Sequence, residues 1–346
     1  DCLLSRGLGD VYKRQIHWSI KGLLALGMTV AAAASWASEP LGGEVPAGTT
    51  LTVADQNEVL RTLMEASGEA DKLGSEVTYA NFLGWPAILE AFRAGALDLA
   101  VVGNTPPIQA HASGLVLPIV GAVTTTEVDY HLAVRPGLQI DRLEDLAGKK
   151  LSYAEGTGRQ PFILNALKVA GLTPEDVQFV GLKAADMPDA VRAGQVDVAV
   201  LNEPHYSRYI KTFPGASALP EAEHDRLPRT LSYLYASPDA LSDPGKTAAI
   251  AQFVRGWIDA NRWRSEHTQE WADTYYIGLQ RLPPEEGLAA AQAEGEPSFP
   301  TLSELVETQQ GLIDVIHAAG GLPRHLDASE KFDFRFDAVI AAATDR

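Results

Sequence analysis

The chain has 346 residues, which is more than one domain usually holds, and at about 150 residues per domain it predicts two. Hydrophobic residues make up 46%, charged residues make up 21%, and the mean hydropathy is −0.06. These values exclude a largely disordered chain and a protein with several membrane spans. The formal net charge of −17 argues against non-specific nucleic-acid binding, which depends on Lys and Arg contacts to phosphates.

The first 37 residues are expected to lie outside the folded protein. We interpret residues 1–15 as a non-native leader, and Cys2, the single cysteine, lies within it. Residues 16–37 are predicted to be a secretory signal peptide, because Lys21 precedes the apolar run 22–34 and small residues precede Ser38. That run is too short to cross a bilayer, which takes about 20 residues. A buried N-terminal helix is the alternative.

From residue 50 onward, short β-branched segments alternate with amphipathic segments, which predicts an α/β fold with mostly parallel sheets. Strands are predicted at 51–54, 76–80, 98–103, 117–123, 130–134, 151–154, 177–181, 197–201 and 231–236. Helices are predicted between them, notably at 85–94, 161–170 and 187–193. After residue 240 the pattern predicts two long helical stretches, 244–276 and 302–319, with no strand between them.

A 13-residue segment occurs twice in the chain. AFRAGALDLAVVG at 91–103 and AVRAGQVDVAVLN at 190–202 are identical at seven positions. Each copy predicts the end of a helix, a glycine that stops it (Gly95, Gly194) and a buried strand. We expect one copy in each of two similar lobes, with Asp98 and Asp197 at equivalent places. A chance likeness between two alanine-rich segments is the alternative.

The strands separate into two groups near residues 125–130, which predicts two α/β lobes. We expect lobe one to comprise residues 45–125 together with the returning segment 230–346 and its C-terminal helices. Lobe two is expected to comprise residues 130–228. In open parallel sheets the ligand binds beyond the carboxyl ends of the strands, so the turns after these strands should face a cleft between the lobes.

Five segments carry a family resemblance: FLGWPAILEAFRAGALDLAVVGNTPPIQAHASG (82–114), LEDLAGKKLSYAEGTG (143–158), ALKVAGLTPEDVQFVGL (166–182), VRAGQVDVAVLNEPHY (191–206) and VETQQGLIDVIHAAGGLP (306–323). They resemble the periplasmic solute-binding proteins of ABC importers for aliphatic sulfonates, taurine and nitrate. The resemblance implies a two-lobe, type II-like fold and a periplasmic location. It also implies capture of a small organic anion, such as an aliphatic sulfonate or taurine, and delivery to an inner-membrane permease.

The resemblance places the ligand against four turns between the lobes. Asn104 stands where the family has Asp in a Gly-Asp-Ala-Pro-Pro turn, and Asn202-Glu203-Pro204 stands where it has Trp-Asp-Pro. Trp85 is expected to form an apolar wall, with packing inside lobe one as the alternative. The residues expected to contact the ligand are Gln56, Asn57, Trp85, Asn104, Thr105, Thr157, Gly158, Arg159, Gln160, Asn202 and Glu203.

Two of these turns precede predicted helices, so backbone N–H groups at Thr105 and at 158–160 are expected to point at an anion. Arg159 adds a charged fork that suits a sulfonate or carboxylate. We expect the Arg159 side chain to be exposed in the cleft and to contribute little to the stability of the fold. Plain helix capping by Thr105 and Thr157, and a solvated surface role for Arg159, are the alternatives. Glu203 would repel a purely anionic ligand, so it points away or the ligand carries an amine.

We do not expect an enzyme. The eight histidines form no His-x-x-x-His pair and there is no Gly-x-Ser-x-Gly elbow. Desulfinases and thiamine-pyrimidine synthases share the fold but rely on cysteines, and no cysteine follows Cys2. The effector domain of a LysR-type regulator would follow a basic helix-turn-helix, where this chain has a signal-like segment. We therefore expect no cofactor, no metal, no nucleic acid and a monomer, with nitrate or an aromatic carboxylate as the alternative ligand.

Overall fold

The computed structural model describes residues 41, 43–82, 84–126, 130–154, 157–202, 205–229 and 231–345. The segments interpreted as leader and signal peptide lie outside these ranges. None of the helices within them is long and apolar enough to cross a membrane.

Eleven strands form within the described residues. They are β1 (Thr50–Gln56), β2 (Glu76–Phe82), β3 (Leu99–Gly103), β4 (Ile119–Thr125), β5 (His131–Val134), β6 (Lys150–Tyr153), β7 (Gln178–Gly181), β8 (Val198–Leu201), β9 (Ser217–Ala218), β10 (Leu231–Ala236) and β11 (Pro297–Ser298). All nine predicted strands are present. The two that the sequence pattern missed, β9 and β11, have two residues each, which is too short to show an alternating pattern.

The α-helices of the described residues are α1 (Val59–Ala66), α2 (Trp85–Arg93), α3 (Pro106–Ala112), α4 (Arg159–Val169), α5 (Met187–Arg192), α6 (His205–Thr212), α7 (Glu221–His224), α8 (Pro238–Ser242), α9 (Pro244–Glu266), α10 (Thr268–Trp271), α11 (Pro284–Gln292), α12 (Leu302–Ala318) and α13 (Asp337–Thr344). A π-helix, Ala272–Leu279, follows α10.

The prediction of one continuous helix over 244–276 is wrong. His267 takes a non-helical backbone conformation, with φ −120° and ψ 41°, and it separates α9 from α10. The π-helix then follows directly after α10. The expectation that no strand lies between the two long helical stretches is also wrong, because β11 lies there and pairs with β4 at the edge of the sheet.

The strands form two sheets with one shared topology. The six-stranded sheet has the order β11-β4-β10-β3-β1-β2, and the five-stranded sheet has the order β7-β6-β8-β5-β9. Strands β1 to β4 run in one direction, and β10 runs against β3 and β4. Strands β6 to β9 likewise share a direction, and β5 runs against its neighbours. We call the first sheet with its helices lobe one and the second lobe two.

The repeated segment lies once in each lobe, and its aspartates occupy equivalent places. Asp98 accepts a hydrogen bond of 2.8 Å from the N–H of Thr52, and Asp197 accepts one of 2.9 Å from the N–H of Lys150. Each aspartate therefore ties the start of β3 or β8 to the neighbouring central strand. The glycines before them, Gly95 and Gly194, both have φ +69°, a left-handed conformation that favours glycine at a helix end. The expected equivalence of the two units is confirmed.

The two lobes differ in how their sheets are covered. The apolar core of lobe one combines its sheet with α9, α12 and α13. In lobe two, alternate residues of each strand face separate clusters, so that Leu132 and Val134 lie on one side of β5 and Ala133 on the other. The chain passes from lobe one to lobe two before β5 and returns before β10. The parallel-rich α/β fold predicted from the sequence is confirmed.

Candidate functional site

Arg159 is the first residue of α4 and holds a half-buried positive charge. Its Nε donates to the carbonyl of Val200 at 3.3 Å, and an Nη donates to Oδ1 of Asn202. The guanidinium also lies 5.3 Å from the ring centre of Tyr130. Burial lowers the pKa of this guanidinium, and Tyr130 opposes that shift. The expectation that Arg159 is exposed and without weight for the fold is wrong, because it bonds to the end of β8 and packs on Tyr130.

No carboxylate lies within ion-pair distance of Arg159 in the part of the chain that the structure describes. The partners of the guanidinium are a carbonyl, an amide oxygen and an aromatic ring. This differs from the other arginines of lobe two, such as Arg135, which pairs with Asp197 at 2.8 Å. A buried charge is normally compensated, so this site can take an anion.

Gly158 is the residue that allows Tyr130 to lie against the start of α4. A Cβ atom at position 158 would meet the Tyr130 hydroxyl at 2.6 Å. Because this is closer than any real Cβ contact, a larger residue at position 158 would displace the tyrosine that supports Arg159. The close approach explains why glycine suits the turn here.

The start of α4 offers fewer free N–H groups than the sequence led us to expect. The hydroxyl of Thr157 accepts from the N–H of Arg159 at 3.3 Å, and the Thr157 carbonyl accepts from the N–H of Gln160 at 3.1 Å. Thr157 therefore caps the helix locally. Of the N–H groups predicted at residues 158–160, that of Gly158 is the one without an acceptor among the described residues.

The Asn104 and Thr105 turn lies at the carboxyl end of β3 and is buried. The N–H of Asn104 bonds to the Leu231 carbonyl at 3.1 Å, and the Thr105 hydroxyl lies 3.3 Å from Oδ1 of Asn104. Helix α3 then begins with two prolines, which have no N–H. The N–H predicted at this turn is that of Thr105. Thr105 is 1% exposed, and its N–H has no acceptor among the residues described.

A cavity of about 260 Å³ lies between the two lobes beside these turns, next to Arg159 but not lined by it. Asn104 and Gly158 line it from opposite lobes, together with Phe162 of α4 and Leu312 of α12. Its charged groups are Lys168, Arg229 and Glu307. Their formal sum is positive, although the whole chain is strongly acidic.

The remaining predicted residues of lobe one lie elsewhere. Gln56 lines a second cavity, also of about 260 Å³, formed inside lobe one by β1, α1, β4 and α9. Asn57 is exposed with φ +55°, and its carbonyl accepts from the Tyr275 hydroxyl and the Gln280 amide. Trp85 packs against the core of lobe one and lines neither cavity, in keeping with the packing alternative.

The structure thus brings Asn104, Thr157, Gly158, Arg159, Gln160 and Asn202 to the ends of β3, β6 and β8. Glu203 lies outside the described residues. Sequence reasoning missed Tyr130, which follows the first chain crossing, and Gln309 of α12, whose Nε2 donates to the Asn104 carbonyl at 3.1 Å. The similar segment 306–323 contains Gln309, but its pattern is that of an amphipathic helix and marks no single residue.

A family model described as "ABC transporter, phosphonate, periplasmic substrate-binding protein" matches residues 45–245, which is more than half of the chain. The chain belongs to this family. The resemblance to periplasmic binding proteins of ABC importers, inferred from the five sequence segments, is confirmed.

Among the relatives, a protein of Escherichia coli strain K12 described as an aliphatic sulfonates-binding protein is 33% identical over 133 residues, 38% of this chain and 42% of the relative. One of Bacillus subtilis strain 168 with the same description is 28% identical over 206 residues, 59% of this chain and 60% of the relative. The chain thus matches about half the length of these family members.

Among solved structures, the fold is shared with the periplasmic aliphatic sulphonate binding protein SsuA of Escherichia coli. The TM-score is 0.71 at 23% identity, and the alignment covers 82% of this chain and 92% of that one.

Proposed function

We propose that this protein is the substrate-binding protein of an ABC importer for small organic monoanions, with aliphatic sulfonates as the preferred class. It binds the anion in the periplasm between its two lobes and delivers it to an inner-membrane permease, without making or breaking a bond. The signal-like segment 16–37 directs export, and the protein acts as a monomer.

The observation that carries this proposal is the charge at Arg159. Taking a guanidinium out of water without a compensating charge is costly, and the described residues supply only neutral acceptors. The guanidinium N–H groups of Arg159 that do not bond to Val200 or Asn202 can donate to an oxyanion, and so can the N–H of the adjacent Gly158. A bound anion would supply the missing charge.

The number of charges favours a monoanion. One arginine compensates the single charge of a sulfonate at every pH, whereas a phosphonate or phosphate partly loses a second proton near neutral pH. The interlobe cavity of about 260 Å³ lies below the usual range of about 300–1,000 Å³ for small-molecule sites, so the ligand is small. An aliphatic sulfonate, the ligand given in the descriptions of the relatives, is both singly charged and small.

The test is a thermal-shift and calorimetric screen of the chain from Ser38 onward with ethanesulfonate, taurine, methylphosphonate, nitrate and benzoate. A ligand at 100 times its dissociation constant stabilises a protein by about 2.7 kcal/mol. We expect this shift with ethanesulfonate and a smaller one with methylphosphonate. Absence of a shift with every sulfonate, or a stronger response to nitrate or benzoate, would contradict the proposal.

A further inference from the structure

The turn at Asn104 is hydrogen-bonded by the side chain of Gln309, which lies 205 positions later in the sequence. The Gln309 amide nitrogen on α12 donates to the Asn104 carbonyl at 3.1 Å. A carbonyl oxygen can only accept, so the atom facing it is the nitrogen. Gln309 is fully buried, at 0% exposure, so this bond is shielded from water.

The bond fixes a complete peptide plane. In a trans peptide the carbonyl and the following N–H point in opposite directions, so holding the Asn104 carbonyl toward α12 turns the Thr105 N–H away from it. That N–H is the buried donor without an acceptor described above. A hydrogen bond to the carbonyl also polarises the peptide and strengthens its N–H as a donor.

Gln309 is a poor choice for stability alone. Its Oε1 is buried and has no donor among the described residues, and an unsatisfied buried acceptor costs about 1–3 kcal/mol. An apolar residue of the same length would avoid that cost on α12, but it would leave the Asn104 carbonyl without the Gln309 donor. A residue retained at such a cost is better explained by what it does to the turn.

From these contacts we infer that Gln309 is a positioning residue for ligand binding. It orients the Asn104–Thr105 peptide, and with it the Asn104 side chain on the interlobe cavity, without contacting the ligand itself. The inference rests on the proposed function, because it concerns the affinity for the anion.

The test replaces Gln309 by Met and by Glu. Gln309→Met keeps the length and removes the donor, and we expect the dissociation constant for ethanesulfonate to rise about tenfold, which corresponds to about 1.4 kcal/mol. Gln309→Glu donates only while its carboxyl is protonated. We therefore expect its affinity to fall as the pH rises from 5 to 8, which a purely structural role would not produce.

Gln310→Glu is the matched control. Gln310 is the next residue on α12, but its amide bonds to Asp314 and the Leu326 carbonyl, away from the cavity. Wild type and control share the charged groups near the turn, which include Arg159, Lys168, Arg229, Glu307, Lys331 and the pair His111–Glu330.

The outcomes separate the two proposals. If wild type and Gln310→Glu bind ethanesulfonate, and Gln309→Met and Gln309→Glu bind equally well at every pH, the inference on Gln309 is overturned and the proposed function stands. If wild type binds no sulfonate, the proposed function itself fails, and the inference fails with it. Unfolding temperatures of all variants, measured without ligand, distinguish loss of the fold from loss of binding.

Discussion

At the scale of single residues, Arg159 combines a buried positive charge with neutral partners. Asp98 and Asp197 show the opposite case, since each of these carboxylates has a basic partner, Lys246 at 2.7 Å and Arg135 at 2.8 Å. These two carboxylates are therefore compensated by basic groups of the fold. Arg159 differs because the described residues leave its charge uncompensated.

Replacing Arg159 tests this difference. Arg159→Ala should weaken sulfonate binding by about ten- to a hundredfold, because a charge-assisted hydrogen bond contributes about 1.5–3 kcal/mol. Arg159→Lys should recover part of the affinity, since one ammonium cannot reproduce the guanidinium fork. Calorimetry measures both. Arg159→Ala should also lower the unfolding temperature without ligand, because the bonds to Val200 and Asn202 are lost.

Arg192→Ala is the control for that experiment. Arg192 is another lobe-two arginine, which pairs with Asp189 and packs 5.1 Å from the ring centre of Phe213. Its replacement should leave the dissociation constant unchanged. An unaltered affinity in Arg159→Ala would assign anion binding to the backbone and amide groups instead.

At the scale of elements, lobe two is supported by two neutral histidines beside β5. The N–H of Leu132 donates to Nε2 of His224 at 3.1 Å, so that nitrogen carries no proton. His131 lies 5.5 Å from His224 between ring centres and stacks on Tyr206 at 3.8 Å. The pKa of each histidine is lowered to about 4, by burial for His131 and by burial together with the nearby His131 for His224.

These shifts predict a loss of stability in mild acid. Above pH 6.5 both histidines are neutral in the folded and unfolded chain, so they cost nothing. As the pH falls from 6.5 toward 4, the unfolded chain takes up protons that the folded chain does not, and the free energy of unfolding decreases. For His224 the decrease is at most about 1.4 kcal/mol per pH unit.

Urea denaturation at pH 7 and pH 5 measures this effect. His224→Gln can still accept from Leu132 but cannot be protonated, so it should lose less stability between the two pH values than wild type. The exposed His267→Gln is the control and should behave like wild type. Equal losses in wild type and His224→Gln would show that other groups determine the acid response.

At the scale of the whole molecule, two separate contacts connect the lobes. Helix α4 of lobe two packs on α12 of lobe one. On another face, Arg208 of α6 pairs with Glu286 of α11 at 3.3 Å. Both side chains are about half exposed, so the pair contributes at most about 1 kcal/mol and is screened by salt.

This ion pair should influence ligand affinity through the relative position of the lobes. The apparent dissociation constant rises when the binding-competent arrangement is less populated. Arg208→Glu should therefore weaken sulfonate binding by up to about fivefold at low salt. The double reversal Arg208→Glu with Glu286→Arg should restore it. If the single and double variants bind alike, or if salt has no influence, the pair plays no part in binding.

Local sequence patterns determined the α/β class, the positions of nine strands, the glycine helix ends and the equivalence of Asp98 and Asp197. These features depend on periodicity and on backbone preferences of neighbouring residues, which a sequence displays directly. The break at His267 and the edge strand β11 escaped prediction, because a single non-helical residue and a two-residue strand leave no periodic signal.

Only the tertiary structure decided which side chains meet at the candidate site. Sequence reasoning identified the turns at Asn104 and Arg159, but it treated Arg159 as exposed and counted as free the N–H groups of Arg159 and Gln160, which are bonded within the turn. The contacts of Gln309 with Asn104 and of Tyr130 with Gly158 join positions far apart in the chain. Such contacts follow from how α12 and β5 pack against the strand ends, and no local pattern encodes that packing.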